Sequence, residues 1–349
     1  MVNRGFGLEI EDDTYGEIVE PENFDLAWFQ DVDSSDFKLN DDVITRSGGS
    51  RMDKKARPGV LKPTGSVSGD VDLQRIIYYF YGFLDNYKCT DNQDDTYTHE
   101  FWGGEGKDLK SFRGVAAYDM LIQYIYGILI DGLKLECSDE AMTLTADTVY
   151  KTEQSVILDE NEELELPDDL ENDLFITFYD IVLKLNNKVP DGVVNSFSLE
   201  SKNNLDQDKS IGFGSRAPQA KAMAVKRENS LSLTTYLTRD TVESILDAKY
   251  GKVGARSPSA CKILQIPLEL NVSLCEYEEL GLLMNIKFPR CTVKAEFDMS
   301  GVDEIETTME LGTLGSDEVT LDDDSEVVTD FYVKVVNNLP ELGVEESSP

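Results

Sequence analysis

His99 is the only histidine in the 349 residues. An imidazole can act as a general base or a metal ligand, but either role needs partner groups at ligand or hydrogen-bond spacing. No cysteine or acid stands at such spacing from it, so His99 reads as a structural residue. The five cysteines are Cys89, Cys137, Cys261, Cys275 and Cys291. They are odd in number, widely spaced and mostly in apolar, strand-like surroundings, which reads as reduced structural thiols. The acid runs Asp12-Asp13, Asp94-Asp95 and Asp322-Asp323-Asp324 offer oxygens to calcium. They lack the spaced ligands and glycine of a calcium loop, so they read as solvated charge. Gly212-Phe213-Gly214 does not open a strand–turn–helix unit, which argues against a nucleotide fingerprint. No convergent catalytic set is found, and no metal or cofactor is expected.

Charge is the dominant compositional fact. The formal net charge is -36. Nucleic-acid binding normally neutralises phosphates with Lys and Arg, so this excess argues against it. Two stretches stand against the background. Segment 46–62 carries Arg46, Arg51, Lys54, Lys55, Arg57 and Lys62 with one acid, Asp53. Segment 209–227 carries Lys209, Arg216, Lys221, Lys226 and Arg227 with none. Together they hold 11 of the 32 basic residues. Basic loops in an acidic protein are expected to bind acidic surfaces of neighbouring subunits, where complementary fields set register and encounter rate.

The elements that position these loops occur twice. Ser47-Gly48-Gly49-Ser50-Arg51, a basic loop and Gly65 to Arg75 are followed by Gly212-Phe213-Gly214-Ser215-Arg216, a basic loop and Asn229 to Arg239. Leu73 and Arg75 match Leu237 and Arg239 at an offset of 164. A helical pattern follows each, over Ile76–Tyr87 and Thr241–Tyr250. The first is ringed by Tyr78, Tyr79, Phe80, Tyr81 and Phe83, which suits a core helix with aromatics left over for a subunit interface. Period-2 segments then follow in both halves, Tyr124–Cys137 and Ala141–Tyr150, then Leu282–Phe297 and Glu304–Leu311. The predicted organisation is a first unit over 1–157, an acidic linker over 158–172, a second unit over 173–336 and a flexible tail over 337–349. The fold class is mainly β: two tandem β-sandwich or barrel units, each with one short α-helix.

The layout resembles the tail tube (major tail) proteins of long-tailed bacterial viruses. The residues that carry it are the opening Gly7-Leu8-Glu9-Ile10-Glu11-Asp12-Asp13-Thr14-Tyr15-Gly16, Arg57, Gly65 to Gly69, and Gly127-Ile128-Leu129-Ile130-Asp131-Gly132-Leu133-Lys134-Leu135-Glu136-Cys137. The chain departs from the family opening in having Glu17 where Thr is usual. The resemblance implies a structural virion protein, made in the host cytoplasm, that self-assembles into stacked rings around a DNA channel. With a duplicated unit, three chains make a pseudo-hexameric ring. The implied partners are further copies of itself, a tape-measure protein, tail-end proteins and viral DNA in transit, with no membrane. The basic loops would then be inter-ring contacts, and Asp131, Glu136, Glu296 and Glu306 are candidates for the lumen. The alternatives are a contractile-tail inner tube, a tail-end or connector protein, and a secreted acidic binding module. The last would call for export and an even cysteine count.

Overall fold

A computed structural model describes residues 4–11, 14–20, 24–29, 32–46, 55–118, 120–138, 140–158, 176–187, 189, 194–236, 242–243, 246–247, 250, 254, 257, 265–274, 281–297, 306–313 and 315–343. In chain order the first half contains β1 (Arg4–Ile10), β2 (Ala27–Phe29), β3 (Val32–Lys38), β4 (Asp41–Arg46), β5 (Lys55–Leu61) and β6 (Thr64–Asp70). Helix α1 (Ile76–Phe83) follows, then β7 (Asn86–Asp91), β8 (Tyr97–Trp102), β9 (Phe112–Tyr118), β10 (Leu121–Cys137), β11 (Thr143–Val149) and β12 (Thr152–Ile157). The second half contains β13 (Ile181–Leu185), β14 (Val194–Lys202), β15 (Glu228–Tyr236), β16 (Ile266–Ser273), β17 (Leu283–Phe297), β18 (Glu306–Thr313), β19 (Asp317–Thr320), β20 (Glu326–Thr329) and β21 (Tyr332–Asn337). The mainly β class is as the sequence indicates.

Three antiparallel sheets share two long strands. One sheet runs β2-β1-β9-β10-β12. A second runs β7-β8-β21-β17-β16-β13 and so joins the two halves. The third and widest runs β3-β6-β11-β10-β14-β15-β18-β17. Strand β10 changes sheets midway. Its residues up to Ile128 pair with β9 and β12, and those from Leu129 pair with β11 and β14. Strand β17 does the same, pairing with β21 up to Lys287 and with β16 up to Cys291, and with β18 from Cys291. The switches fall at backbone irregularities. Gly127 takes φ +70 in β10, and Pro289, which has no ladder donor, stands at the switch in β17.

These switches explain why Asp131-Gly132 does not end the strand. Asp131 is the extra residue of a bulge between Ile130 and Gly132, and β10 runs on for 17 residues. Its apolar run Ile125–Ile130 is buried throughout, as expected of a strand covered on both faces.

Helix α1 stops at Phe83, four residues before the predicted end, because Leu84 is already extended at φ -101, ψ 145. All its residues except Tyr78 are buried. The helix plugs the space between the sheets: Phe80 meets Phe101 at 6.1 Å, and Phe83 meets Phe331 of the second half at 6.2 Å. Phe331 stacks in turn on Phe288 at 4.7 Å, so one core passes through both halves. In the second half, residues 242–243, 246–247 and 250 are helical.

Two other expectations change. The arms of the first basic loop are strands, since β4 and β5 pair as a hairpin from Asp41↔Leu61 to Arg46↔Lys55. The start of the expected flexible tail is held in place. Asn337 is fully buried and its Nδ2 donates to the carbonyls of Leu73 and Gln74, while the Leu342 backbone N–H donates to Tyr87 Oη at 3.0 Å. The acid run Asp322-Asp323-Asp324 forms the turn of the β19–β20 hairpin. The acidic linker predicted over 158–172 lies outside the described residues beyond Leu158.

Candidate assembly interface

The two halves meet edge to edge in the third sheet. Strand β10 pairs with β14 in the register Gly132↔Lys202, Lys134↔Glu200, Glu136↔Ser198 and Cys137↔Phe197. Alternation puts Leu135 and Leu199 into the core and leaves Lys134, Glu136, Ser198 and Glu200 on the opposite face. That polar face continues across the sheet as Ser66 and Ser68 of β6, Thr143 and Thr145 of β11, and Ser230 and Ser232 of β15. Among described side chains on it, Asp36, Asp70, Glu136, Asp147, Glu200, Glu228 and Glu310 stand against Lys38, Lys134 and Lys202. The face is therefore acid-rich. Its lysines are engaged within their own strands, Lys134 with Glu136 and Lys202 with Glu200, each at 2.7 Å.

The loop after β14 lies over the first half. Leu205, Ala222 and Ala224 pack with Tyr15, Leu109, Leu129 and Val149. Backbone bonds fix it: Asn203 N–H donates to the Asp131 carbonyl at 2.7 Å, and Leu61 N–H to the Arg216 carbonyl at 2.8 Å. Several of its bases reach acids of the first half. Arg216 pairs with Asp41 and donates through Nε to the Gly59 carbonyl at 2.9 Å. Lys221 pairs with Asp108 at 3.2 Å and donates to the Leu109 carbonyl at 3.1 Å. Arg227 is buried between Asp85 and Asp330. Lys209 and Lys226 pair with the acids that flank the segment, Asp206 at 2.9 Å and Glu228 at 3.6 Å.

From the first basic segment, Lys62 pairs with Asp208, which directly precedes the second, at 2.7 Å, and the Gly59 carbonyl and Leu61 N–H meet Arg216 within it. The two basic stretches thus touch each other. Arg57 is exposed on β5, opposite Ile44. Arg46 and Lys55 end the hairpin arms, Arg51 and Lys54 lie outside the described residues, and nothing is described of the Arg46 and Lys55 side chains. Val43 and Ile44 on the same hairpin are 61% and 54% exposed.

The four acids singled out from sequence fall at different places. Glu136 lies on the polar face. Asp131 sits in the β10 bulge, where its Oδ1 accepts the Leu205 N–H at 2.7 Å. Burial raises its pKa, opposed by that hydrogen bond and by Lys202. Glu296 holds the register position opposite Thr308, and Glu306 that opposite Tyr236. Sequence reasoning passed over Asp36, Asp147, Glu200, Glu228 and Glu310. The missed signal is a short motif, Asp36-x-Lys38 and Glu200-x-Lys202 on one strand type, Lys134-x-Glu136 and Lys294-x-Glu296 on another.

His99 is fully buried on β8. Its Nε2 meets the Leu339 carbonyl at 2.9 Å and its Nδ1 meets Tyr87 Oη at 3.0 Å. Since a carbonyl only accepts, Nε2 carries the proton and Nδ1 accepts from the tyrosine. Burial lowers its pKa, which keeps the ring neutral. Cys137 and Cys291 are buried, and burial pushes the Cys291 thiol up to about 12. Among the described residues no group of His, Cys, Asp and Glu is arranged to hold a metal ion, and no helix is long and apolar enough to cross a membrane.

Edges, a polar sheet face and bridging loops define a β-rich structural protein. Over residues 8–258 the sequence matches the family of phage tail tube proteins, and the chain belongs to that family. It is accordingly a structural component of a virion tail. No curated protein matches the chain.

Proposed function

We propose that the chain is two copies of one unit, over 1–157 and 173–336, and that three chains close a pseudo-sixfold ring that stacks into the tail tube. The observation that carries this is the order of pairing in the third sheet. Strands β3, β6, β11 and β10 run in the same sequence as β14, β15, β18 and β17. The β10–β14 pairing joins the two sets. Among the described residues, β3 and the C-terminal half of β17 are paired on one side only. Two open edges on one chain invite head-to-tail addition, which terminates only when a ring closes.

In such a ring the polar face of the third sheet lines the channel. DNA entering it meets mostly carboxylates and hydroxyls, the reverse of the cation-rich surfaces that hold phosphates. Within a Debye length of about 8 Å at physiological salt, like charge keeps the duplex from adsorbing and lets it slide. The channel needs no cofactor. Its further partners are the tape-measure protein and the tail-end proteins, and assembly takes place in the host cytoplasm.

The test is negative-stain microscopy of purified protein with class averaging of end views, together with mass photometry of the smallest closed species. Rings of three chains with six lobes are expected. Monomers alone, across concentration and salt, overturn the reading.

A further inference from the structure

The internal junction supplies a template for the junction between chains, at the level of single residues. This inference rests on the ring reading above and adds its register. In the first half, Ser66 pairs outward with Asp36 of β3 and inward with Asp147, which pairs with Gly132 of β10. In the second half, Ser230 pairs outward with Glu200 of β14 and inward with Gly312, which pairs with Thr292 of β17. Counting strands from the two serines, Asp36 corresponds to Glu200 and Gly132 to Thr292. Lys38 and Lys202 then correspond, opposite Thr64 and Glu228. So do Ser34 and Ser198, opposite Ser68 and Ser232. Along the long strands Lys134 corresponds to Lys294 and Glu136 to Glu296. Beyond the anchor of Ser66 on Ser230, residue identity was not used in this count, yet it returns Lys on Lys, Glu on Glu and Ser on Ser.

We propose that the ring closes by antiparallel pairing of β17 with β3 of the next copy in a single register: Thr292 opposite Lys38, Lys294 opposite Asp36, and Glu296 opposite Ser34. This transfers the observed pairs Gly132↔Lys202, Lys134↔Glu200 and Glu136↔Ser198.

Charge selects this register against its neighbours. A slip of one residue turns one strand's core positions to the polar face, which would expose Phe37, now buried. A slip of two in one direction sets Lys294 against Lys38 and Glu296 against Asp36, two like-charge pairs at once. A slip of two in the other direction sets Lys294 against Ser34 and leaves Asp36 against Thr292, so the opposite-charge pair is lost. The open edge is also more exposed than its internal counterpart. The side chains of Asp36 and Lys38 are 57% and 64% exposed, against 41% and 46% for Glu200 and Lys202, which already have a neighbouring strand.

Cysteine cross-linking tests the register. The doubly substituted chain Ser34→Cys/Glu296→Cys is assembled, oxidised and run on a non-reducing gel beside the unsubstituted chain, which controls for the five native thiols. Directly opposed residues lie within disulfide reach, whereas diagonal ones lie at about 7–8 Å. Covalent trimers are expected from this variant and not from Asp36→Cys/Glu296→Cys. In mixing experiments, Ser34→Cys chains with Glu296→Cys chains give dimers. Neither single variant gives dimers alone, because the contact is head-to-tail. Both single substitutions are checked for unaltered melting, so that a folding defect is not read as a lost contact. Rings that form normally but link through the diagonal pair, or through neither, overturn the register while the tube reading stands. Failure of the unsubstituted chain to form any ring overturns both.

Discussion

Arg227 and Asp85 form a buried ion pair across the two halves of the chain, Nη2 to Oδ1 at 3.3 Å, with side-chain exposures of 9% and 4%. The same guanidinium reaches Asp330 at 3.0 Å and donates through Nε to Asn203 Oδ1 at 3.2 Å. Asp85 also accepts the backbone N–H groups of Gly104 and Gly106, at 2.6 and 2.7 Å. One arginine thereby ties the α1–β7 turn, the loop after β14 and the residue that follows β20. Removing one partner of such a group leaves buried charge without compensation. Arg227→Ala is expected to lose about 3–5 kcal/mol of stability in urea unfolding. Arg227→Lys should recover only part, because an ammonium cannot reproduce the fork that serves three acceptors. A loss under 1 kcal/mol would mean the halves are held together without this cluster.

Gly82 sets a second test in which two effects compete. Alanine in a helix is favoured over glycine by about 1 kcal/mol. Here a Cβ at position 82 would lie 2.3 Å from Cε2 of Phe112 and 2.9 Å from Cδ1 of Ile130. Both neighbours are buried. Overpacking costs about 1–3 kcal/mol, so Gly82→Ala should be destabilising in spite of its propensity. A raised melting temperature in a thermal scan would contradict this packing.

The β-rich class, the helix after the first basic segment and the strands from Tyr124 to Tyr150 were legible from period-2 alternation and aromatic clustering, because each is a local pattern. The β7–β8 hairpin was not. Its strands read as ordinary polar sequence until paired with β21, more than 200 residues away. The bulge at Asp131 was not legible either, because only the register against the partner strand reveals an extra residue. For the candidate site, the basic loops were visible as charge. That Arg227 would be buried, Arg216 bridging and Arg57 exposed depends on which acids the fold brings near.

Stability should also depend on His99. Its ring is neutral in the fold, with a pKa below the ordinary value because it is buried. An unfolded histidine takes up a proton near pH 6.5, so the stability gained from a neutral, hydrogen-bonded ring is present above that pH. It is lost as pH falls through about 6.5 and until the folded pKa is reached, at up to about 1.4 kcal/mol per pH unit. Glu11 and Asp131, raised by burial, act in the opposite direction on acidification. The comparison is therefore between wild type and His99→Gln, measured as monomers. The stability advantage of wild type should shrink between about pH 7 and about pH 5.5. An advantage independent of pH would mean that folding leaves the imidazole pKa unshifted, and one that grows on acidification would mean that the ring is protonated in the fold.

The hairpin of β4 and β5 bears on stacking. A two-stranded ribbon alone is marginal in water, and this one exposes Val43 and Ile44 with Arg57 beside them. An arm of that kind gains most when an acidic partner surface with an apolar patch covers it. Reversing charge at Lys54, Lys55 and Arg57 is expected to block ring stacking and leave single rings with unchanged melting. Val43→Ser/Ile44→Ser should shorten tubes at every salt concentration, because its contribution is apolar, whereas the attraction supplied by the bases weakens as salt rises. Arg216→Glu is the control: its contact with Asp41 lies within one chain and is about half-exposed, so it should cost no more than about 1 kcal/mol and spare tube length. Tubes of normal length from the charge-reversed arm, counted by negative stain, would remove the hairpin from the stacking contact.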